Sequence, residues 1–116
     1  MADAEGHPDV EVIVLLAVRA AVADPHRLRV VRDLLADKDG TERHCTSFGL
    51  PVSKSTRSHH FKVLREAGLI RQVDRGNSRM AQLRRDDIEA RFPGLLDVLA
   101  GGQDALHARV HTGSEQ

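Results

Sequence analysis

The stretch SKSTRSHHFKVLREAGLI, residues 53–70, constrains this chain more than any other. It holds a helix start, a two-sided interior and a stop in one short run. Ser53 is an N-cap residue, Gly68 is placed for the C-terminal stop, and Leu69 follows where an apolar contact beyond the stop is usual. At about 100° per residue, Phe61, Val63, Leu64 and Ala67 share one face, and His60 falls within it. Lys54, Ser55, Ser58, His59 and Lys62 share the opposite face. The helix must therefore lie on a core with serines, lysines and His59 outward, while His60 packs inside. Ser58 and His59 are consecutive, so their side chains diverge by about 100° and cannot form a nucleophile–base pair.

The flanking segments supply the rest of the fold. Beyond Gly68, LIRQVD and RMAQL are strand-like runs around RGNS, where Gly76-Asn77 tolerates a hairpin turn and Arg75 and Arg79 flank its tip. Asp24-Pro25 predicts another helix start, a carboxylate cap followed by proline at the first helical position. Leu28, Val31, Leu34 and Leu35 then form a core stripe, with Arg27, Arg29 and Arg32 on other faces. DKDG at 37–40 ends that helix. Residues 41–52 make a poor helix at best, interrupted by Gly49 and Pro51 and anchored by Cys45, Phe48, Leu50 and Val52. A first helix is expected over 9–22, apolar nearly all round, so one of its faces should meet another chain. Asp86 or Asp87 should cap a helix carrying Ile88, Phe92, Leu95, Leu96 and Leu99. Pro93 is a restart point within it, and Gly101-Gly102 weakens it before Leu106 and Val110. Residues 1–8 and 112–116 are polar and read as frayed tails around one domain at 9–111.

Composition narrows the function. The chain has 116 residues, 41% of them apolar, with no Trp or Tyr and three Phe. The core is aliphatic, and aromatic platforms for stacking single-stranded bases are lacking. A lone cysteine, an N-terminus without a signal-peptide pattern and apolar runs too short to span a bilayer predict a cytoplasmic protein with no membrane partner. The formal net charge of zero conceals a segregation. Residues 43–85 hold ten Lys/Arg against two Asp/Glu, a net of +8, whereas residues 1–42 and 86–116 each come to −4. A basic middle points to a polyanionic partner. No Gly-rich phosphate loop or paired-carboxylate cleft suggests an enzyme. The order helix, helix, weak helix, strong helix, hairpin, helix is that of a winged helix-turn-helix, mainly α with a small β-hairpin. The exposed face of the strong helix suits the major groove of double-stranded DNA, and the hairpin arginines suit phosphates or an adjacent minor groove. The alternative is a winged helix used only for protein–protein contact.

AVADPHRLRVVRDLL at 21–35 followed by SKSTRSHHFKVLREAGLI at 53–70 resembles the ArsR family of bacterial transcriptional regulators over about residues 10–100. The resemblance implies a homodimer built by the first and last helices, here 9–22 and 93–110. It also implies a repressor that leaves its operator when an effector binds, the effector being unidentified. It places Lys54, Ser55, Ser58 and His59 at the family's DNA-contacting positions, the face already defined by helical angles.

Two features depart from the pattern. Metal-sensing relatives carry a Cys-x-Cys pair where this chain reads ERHCTSF, so Cys45 with His44 does not complete a thiolate site, and no cofactor is expected. Arg57 occupies a usually apolar position near the middle of the core face. It either snorkels out, pairs with Asp37, Asp39 or Glu42, or leaves the core to contact phosphate. Separately, His107 and His111 stand at i, i+4 and are a possible metal pair, with Asp104 or Asp97 as an oxygen donor.

Overall fold

The computed structural model describes residues 6–102. Five helices and three strands follow one another as α1 (Leu15–Val22), α2 (Pro25–Ala36), β1 (Glu42–His44), α3 (Lys54–Glu66), β2 (Ile70–Arg75), β3 (Ser78–Leu83), α4 (Arg85–Arg91) and the short α5 (Leu95–Asp97). The strands form one antiparallel sheet in the order β1-β3-β2, with Arg75 opposite Ser78 and Ile70 opposite Leu83. This is a winged helix-turn-helix, with the β2–β3 hairpin as wing.

The strongest local signals act as expected. Asp24 accepts hydrogen bonds from the His26 and Arg27 amides at 2.8 and 3.3 Å, and Pro25 opens α2. Burial works against the charged Asp24 carboxyl. The Arg27 and His26 amides, with the Arg27 guanidinium nearby, outweigh it and hold the group below its ordinary 3.8. Ser53 Oγ accepts from the Thr56 amide at 3.1 Å and starts α3. At the other end Gly68 sits at φ +87°, its amide bonds to Arg65 O, and the Leu69 amide bonds to Leu64 O at 3.1 Å. That pair of bonds is a Schellman stop, and Leu69 is fully buried just beyond it. It delivers the chain straight into the wing. In the hairpin turn Gly76 alone takes positive φ, at +70°, as a type II′ turn requires of its first central residue.

Several expectations need correcting. The predicted helix over 9–22 is broken. Val10–Val12 form one 3-10 turn, Ile13 and Val14 are extended, and α1 starts only at Leu15. The β-branched run Val12-Ile13-Val14 favours extended backbone. The break drops Ile13 into the core against Gly68, and Arg91 donates twice to the Ile13 carbonyl, at 3.1 and 2.8 Å. The weak helix over 41–52 is instead β1 followed by a 3-10 turn at Cys45–Phe48. Neither Asp86 nor Asp87 caps α4, whose N-cap position is Arg84; both acids lie in its first turn. Asp87 there accepts from Arg84 Nε at 2.8 Å. Pro93 opens no helix, because the chain turns at Gly94 and resumes at Leu95. Along α2 the buried stripe is Val30, Val31 and Leu34, with Leu28 and Leu35 only partly covered.

The segment before residue 9 is also packed where it is described. His7 is buried and its Nε2 accepts from the Gln72 amide at 3.0 Å, on the open edge of β2. The Pro8 carbonyl accepts from Arg84 Nη1 at 2.7 Å. This strap occupies sheet-edge hydrogen-bonding groups that would otherwise be open to another chain.

The core joins Ile13, Val18 and Ala21 to the α2 stripe, to Phe48 and Leu50, and to Phe61, Leu64, Leu69, Ile70, Ala81 and Ile88. Phe48 and Phe61 meet as a tilted aromatic pair with centroids 5.6 Å apart. Large apolar side chains remain uncovered: Val12, Val14, Leu15 and Leu16, the last 73% exposed, and also Val98 at 58%.

Candidate nucleic-acid interface

Helix α3 presents the two histidines differently because they are one residue apart on a 3.6-residue period. His60 is buried at 6% exposure, while His59 is open to solvent. His60 Nδ1 lies 3.1 Å from Arg27 Nη1. Guanidinium can only donate, so Nδ1 is the acceptor and the neutral ring carries its proton on Nε2. Arg27 Nε also donates to the Ala21 carbonyl at 2.6 Å. One arginine therefore ties the end of α1 and the start of α2 to α3. Burial lowers the His60 imidazole below its ordinary 6.5; Arg27, His26 and His59 push the same way, and Asp24 opposes them. This ring holds α3 in place and is not on its outer face.

The outer face is as the helical period predicts. Lys54, Ser55, Ser58, His59 and Lys62 are all exposed, on a helix whose buried side is His60, Phe61 and Leu64. Arg75 and Arg79 are exposed on the wing, but each has an acidic partner. Arg75 makes two bonds to the Glu42 carboxylate, at 3.0 and 2.7 Å, and Arg79 Nη1 bonds to Asp74 at 3.0 Å. The Arg75 hydrogen bond holds the Glu42 carboxyl below its ordinary range. Exposed pairs of this kind contribute little to stability and exchange readily for another anion.

Between α3 and the wing runs a groove of about 570 Å³. Five basic residues line it, Lys54, Arg57, Lys62, Arg65 and Arg79, and no carboxylate is among the described lining residues. Cys45, Phe61 and Gln72 are its buried residues. Gln72 joins two of its walls: its Oε1 accepts from Arg65 Nη1 at 2.5 Å, and its Nε2 lies 3.8 Å from Cys45 Sγ. Burial pushes the Cys45 thiol above its ordinary 9.0, outweighing the Gln72 hydrogen bond and the nearby Arg79 and Arg57. Cys45 is thus a packed thiol and not a poised thiolate.

Arg57 does not pair with the acids the sequence offers it. Asp37 accepts from Arg43 at 3.5 Å, Asp39 from Arg85 at 3.1 Å, and Glu42 from Arg75. Thr46, Asn77 and Ser78 also line the groove, and sequence reasoning missed them. The signal for Asn77 and Ser78 was present in the hairpin turn; nothing local marked Thr46. Among the described residues no group of three or more His, Cys, Asp or Glu is placed to hold a metal ion. His107 and His111, and the Asp104 suggested beside them, lie outside the described residues, as do the 112–116 tail and the end of the predicted 93–110 helix.

A capped helix with a polar, basic outer face, held on a helical core beside a basic β-wing, defines a winged-helix DNA-binding protein. Known proteins agree. Residues 24–72 match the family model described as "Bacterial regulatory protein, arsR family". The chain is 36% identical over 81 residues to YceK of Bacillus subtilis (strain 168), an uncharacterized HTH-type transcriptional regulator, covering 68% of this chain and 79% of that one. It is similar to the crystal structure of a possible transcriptional regulator for arsenical resistance, with 29% identity and a TM-score of 0.56 over 83% of this chain and 97% of the other. The crystal structure of an ArsR family transcriptional regulator shares the fold at 20% identity and a TM-score of 0.58, covering 80% of this chain and 96% of that one. The chain belongs to the ArsR family of DNA-binding transcriptional regulators, which are not enzymes. Among the described residues no helix is long and apolar enough to cross a membrane.

Proposed function

We propose that this chain works in the cytoplasm as a homodimeric repressor that reads a double-stranded operator and leaves it when an effector binds. The single observation that carries the reading is the shared orientation of two basic features. The exposed face of α3 borders the same groove as the wing, with no carboxylate among its described lining residues. In this reading Ser55, Ser58 and His59 meet base edges, Lys54 and Lys62 meet bases or adjoining phosphates, and Arg75 and Arg79 meet backbone. The wing arginines exchange Glu42 and Asp74 for phosphate at little cost.

Dimerisation is supported by the uncovered apolar side chains Val12, Val14, Leu15, Leu16 and Val98. Two-fold symmetry then calls for a pseudo-palindromic site with half-sites about one helical turn apart, ~10 bp, or a multiple of it. Selection of bound duplexes from a random pool, followed by footprinting, tests this. The expected result is an inverted repeat with two protected half-sites. Recovery of no preferred duplex, with the protein retained only on other proteins, would assign the fold to protein–protein contact instead.

A further inference from the structure

We propose that Arg57 anchors one phosphate of the bound duplex inside the groove between α3 and the wing, an assignment that rests on the DNA-reading function above. Arg57 lies one and two turns before Phe61 and Leu64, so its stem starts on the core face of α3 and is only partly covered. Arg57 is one of the residues that line the groove. Asp37, Asp39 and Glu42 are each engaged by another arginine, and among the described residues Arg57 has no carboxylate partner. A half-buried arginine with no carboxylate partner among the described residues, beside Lys54, Lys62, Arg65 and Arg79, is an electrostatic cost to the free protein that a polyanion removes.

The duplex brings that anion to this place. With α3 in the major groove and the hairpin toward the adjacent minor groove, the sugar–phosphate strand that separates the two grooves must cross the gap between α3 and the wing. A planar fork meets a phosphate there with two parallel hydrogen bonds, which a lysine cannot reproduce. Arg57 thus belongs to the backbone-gripping set and carries affinity without sequence preference, unlike its neighbours Ser58 and His59.

The test uses the full chain as wild type, Arg57→Met and Arg57→Gln. Methionine keeps the apolar stem, so its melting temperature should stay close to wild type. Binding is measured by fluorescence anisotropy on the selected operator and on a random duplex across a salt series. Losing one phosphate contact per protomer should make the log K against log salt slope shallower by about 1.8 per dimer. The wild-type advantage should then shrink about tenfold between 50 and 200 mM salt, alike on both duplexes. A steep wild-type slope left unchanged in both variants overturns the Arg57 assignment while the DNA-reading function stands. Absence of any salt-dependent duplex binding by the wild type removes that function itself. A large fall in melting temperature for Arg57→Met, with an unchanged slope for Arg57→Gln, assigns Arg57 to the fold and also overturns the proposal. So does an unchanged slope accompanied by stabilisation of DNA-free wild type, but not Arg57→Met, by sodium phosphate over sodium chloride at equal ionic strength. That result would give the groove to a soluble anion.

Discussion

Adjacent histidines on α3 should fail in opposite ways when each is replaced by alanine. The His60 ring is buried at 6% exposure and accepts from Arg27, which also holds the Ala21 carbonyl. Its removal opens a cavity, at a cost of about 2–4 kcal/mol, and deprives Arg27 of one acceptor. A loss of about 3 kcal/mol lowers the melting temperature of a domain this size by roughly 10–25 °C. His59 is exposed, so His59→Ala should change stability by less than about 0.5 kcal/mol. It should instead cost about 1–3 kcal/mol of binding on the selected operator and much less on random DNA. Melting followed by circular dichroism, with anisotropy on both duplexes, reads the two variants together. Acid gives a second reading. The folded state lowers the His60 pKa below its ordinary 6.5, so on acidification the unfolded chain takes up this proton first. The stability it contributes is therefore complete above about pH 6.5 and lost as pH falls from there towards the folded value. Wild type should lose melting temperature between pH 7.5 and 5.5 more steeply than His60→Ala. If His60→Ala melts with wild type and loses operator preference, the helical phase of α3 is wrong and so is the DNA-facing set.

Other consequences can be checked separately. Leu16→Asp, at an exposed site, should yield a folded monomer by sedimentation, whereas Ile13→Asp should unfold the chain because Ile13 is in the core; a wild type monomeric at micromolar concentration would refute the argument from uncovered apolar side chains. Arg79→Ala should weaken operator and random DNA alike and lower the salt slope by about two per dimer, while Asp74→Ala, which frees Arg79, should tighten both; an effect of Arg79→Ala confined to the operator would contradict a backbone role. A Cβ at Gly68 would lie 2.6 Å from Ile13 Cγ1 at φ +87°, whereas one at Gly76 would meet nothing within 4 Å at φ +70°. Gly76→Ala should cost about 1–2 kcal/mol from backbone strain alone and Gly68→Ala a further ~1–3 kcal/mol from overpacking, so equal melting temperatures would contradict the seating of Ile13 on the α3 stop.

The parts legible in the sequence were those written locally. Ser53, Gly68, Asp24-Pro25 and Gly76 each fix backbone through their own side chain or its absence, and all four act where expected. The split between His59 and His60 follows from helical period alone. What was missed depends on distant partners. The helix over 9–22 breaks because Ile13 gains a core site at Gly68 and a carbonyl partner in Arg91, neither visible in the run VEVIVLLAV. Strand β1 is three residues long, too short for an alternating pattern, and exists because β3 pairs with it. His7 lies in a polar segment and takes its place from a partner on the open edge of β2, distant in sequence. The partners of Arg57 were likewise open, because Asp37, Asp39 and Glu42 are divided among Arg43, Arg85 and Arg75 only in three dimensions.

The central claim is that this basic surface grips duplex DNA as a dimer, and the salt dependence of wild-type binding tests it most directly. With about four phosphates neutralised by each protomer, log K on the selected operator should fall against log salt with a slope near −7. Random duplex should bind more weakly with a steep slope of its own. An affinity that stays constant from low to physiological salt would contradict the assignment of DNA as the partner.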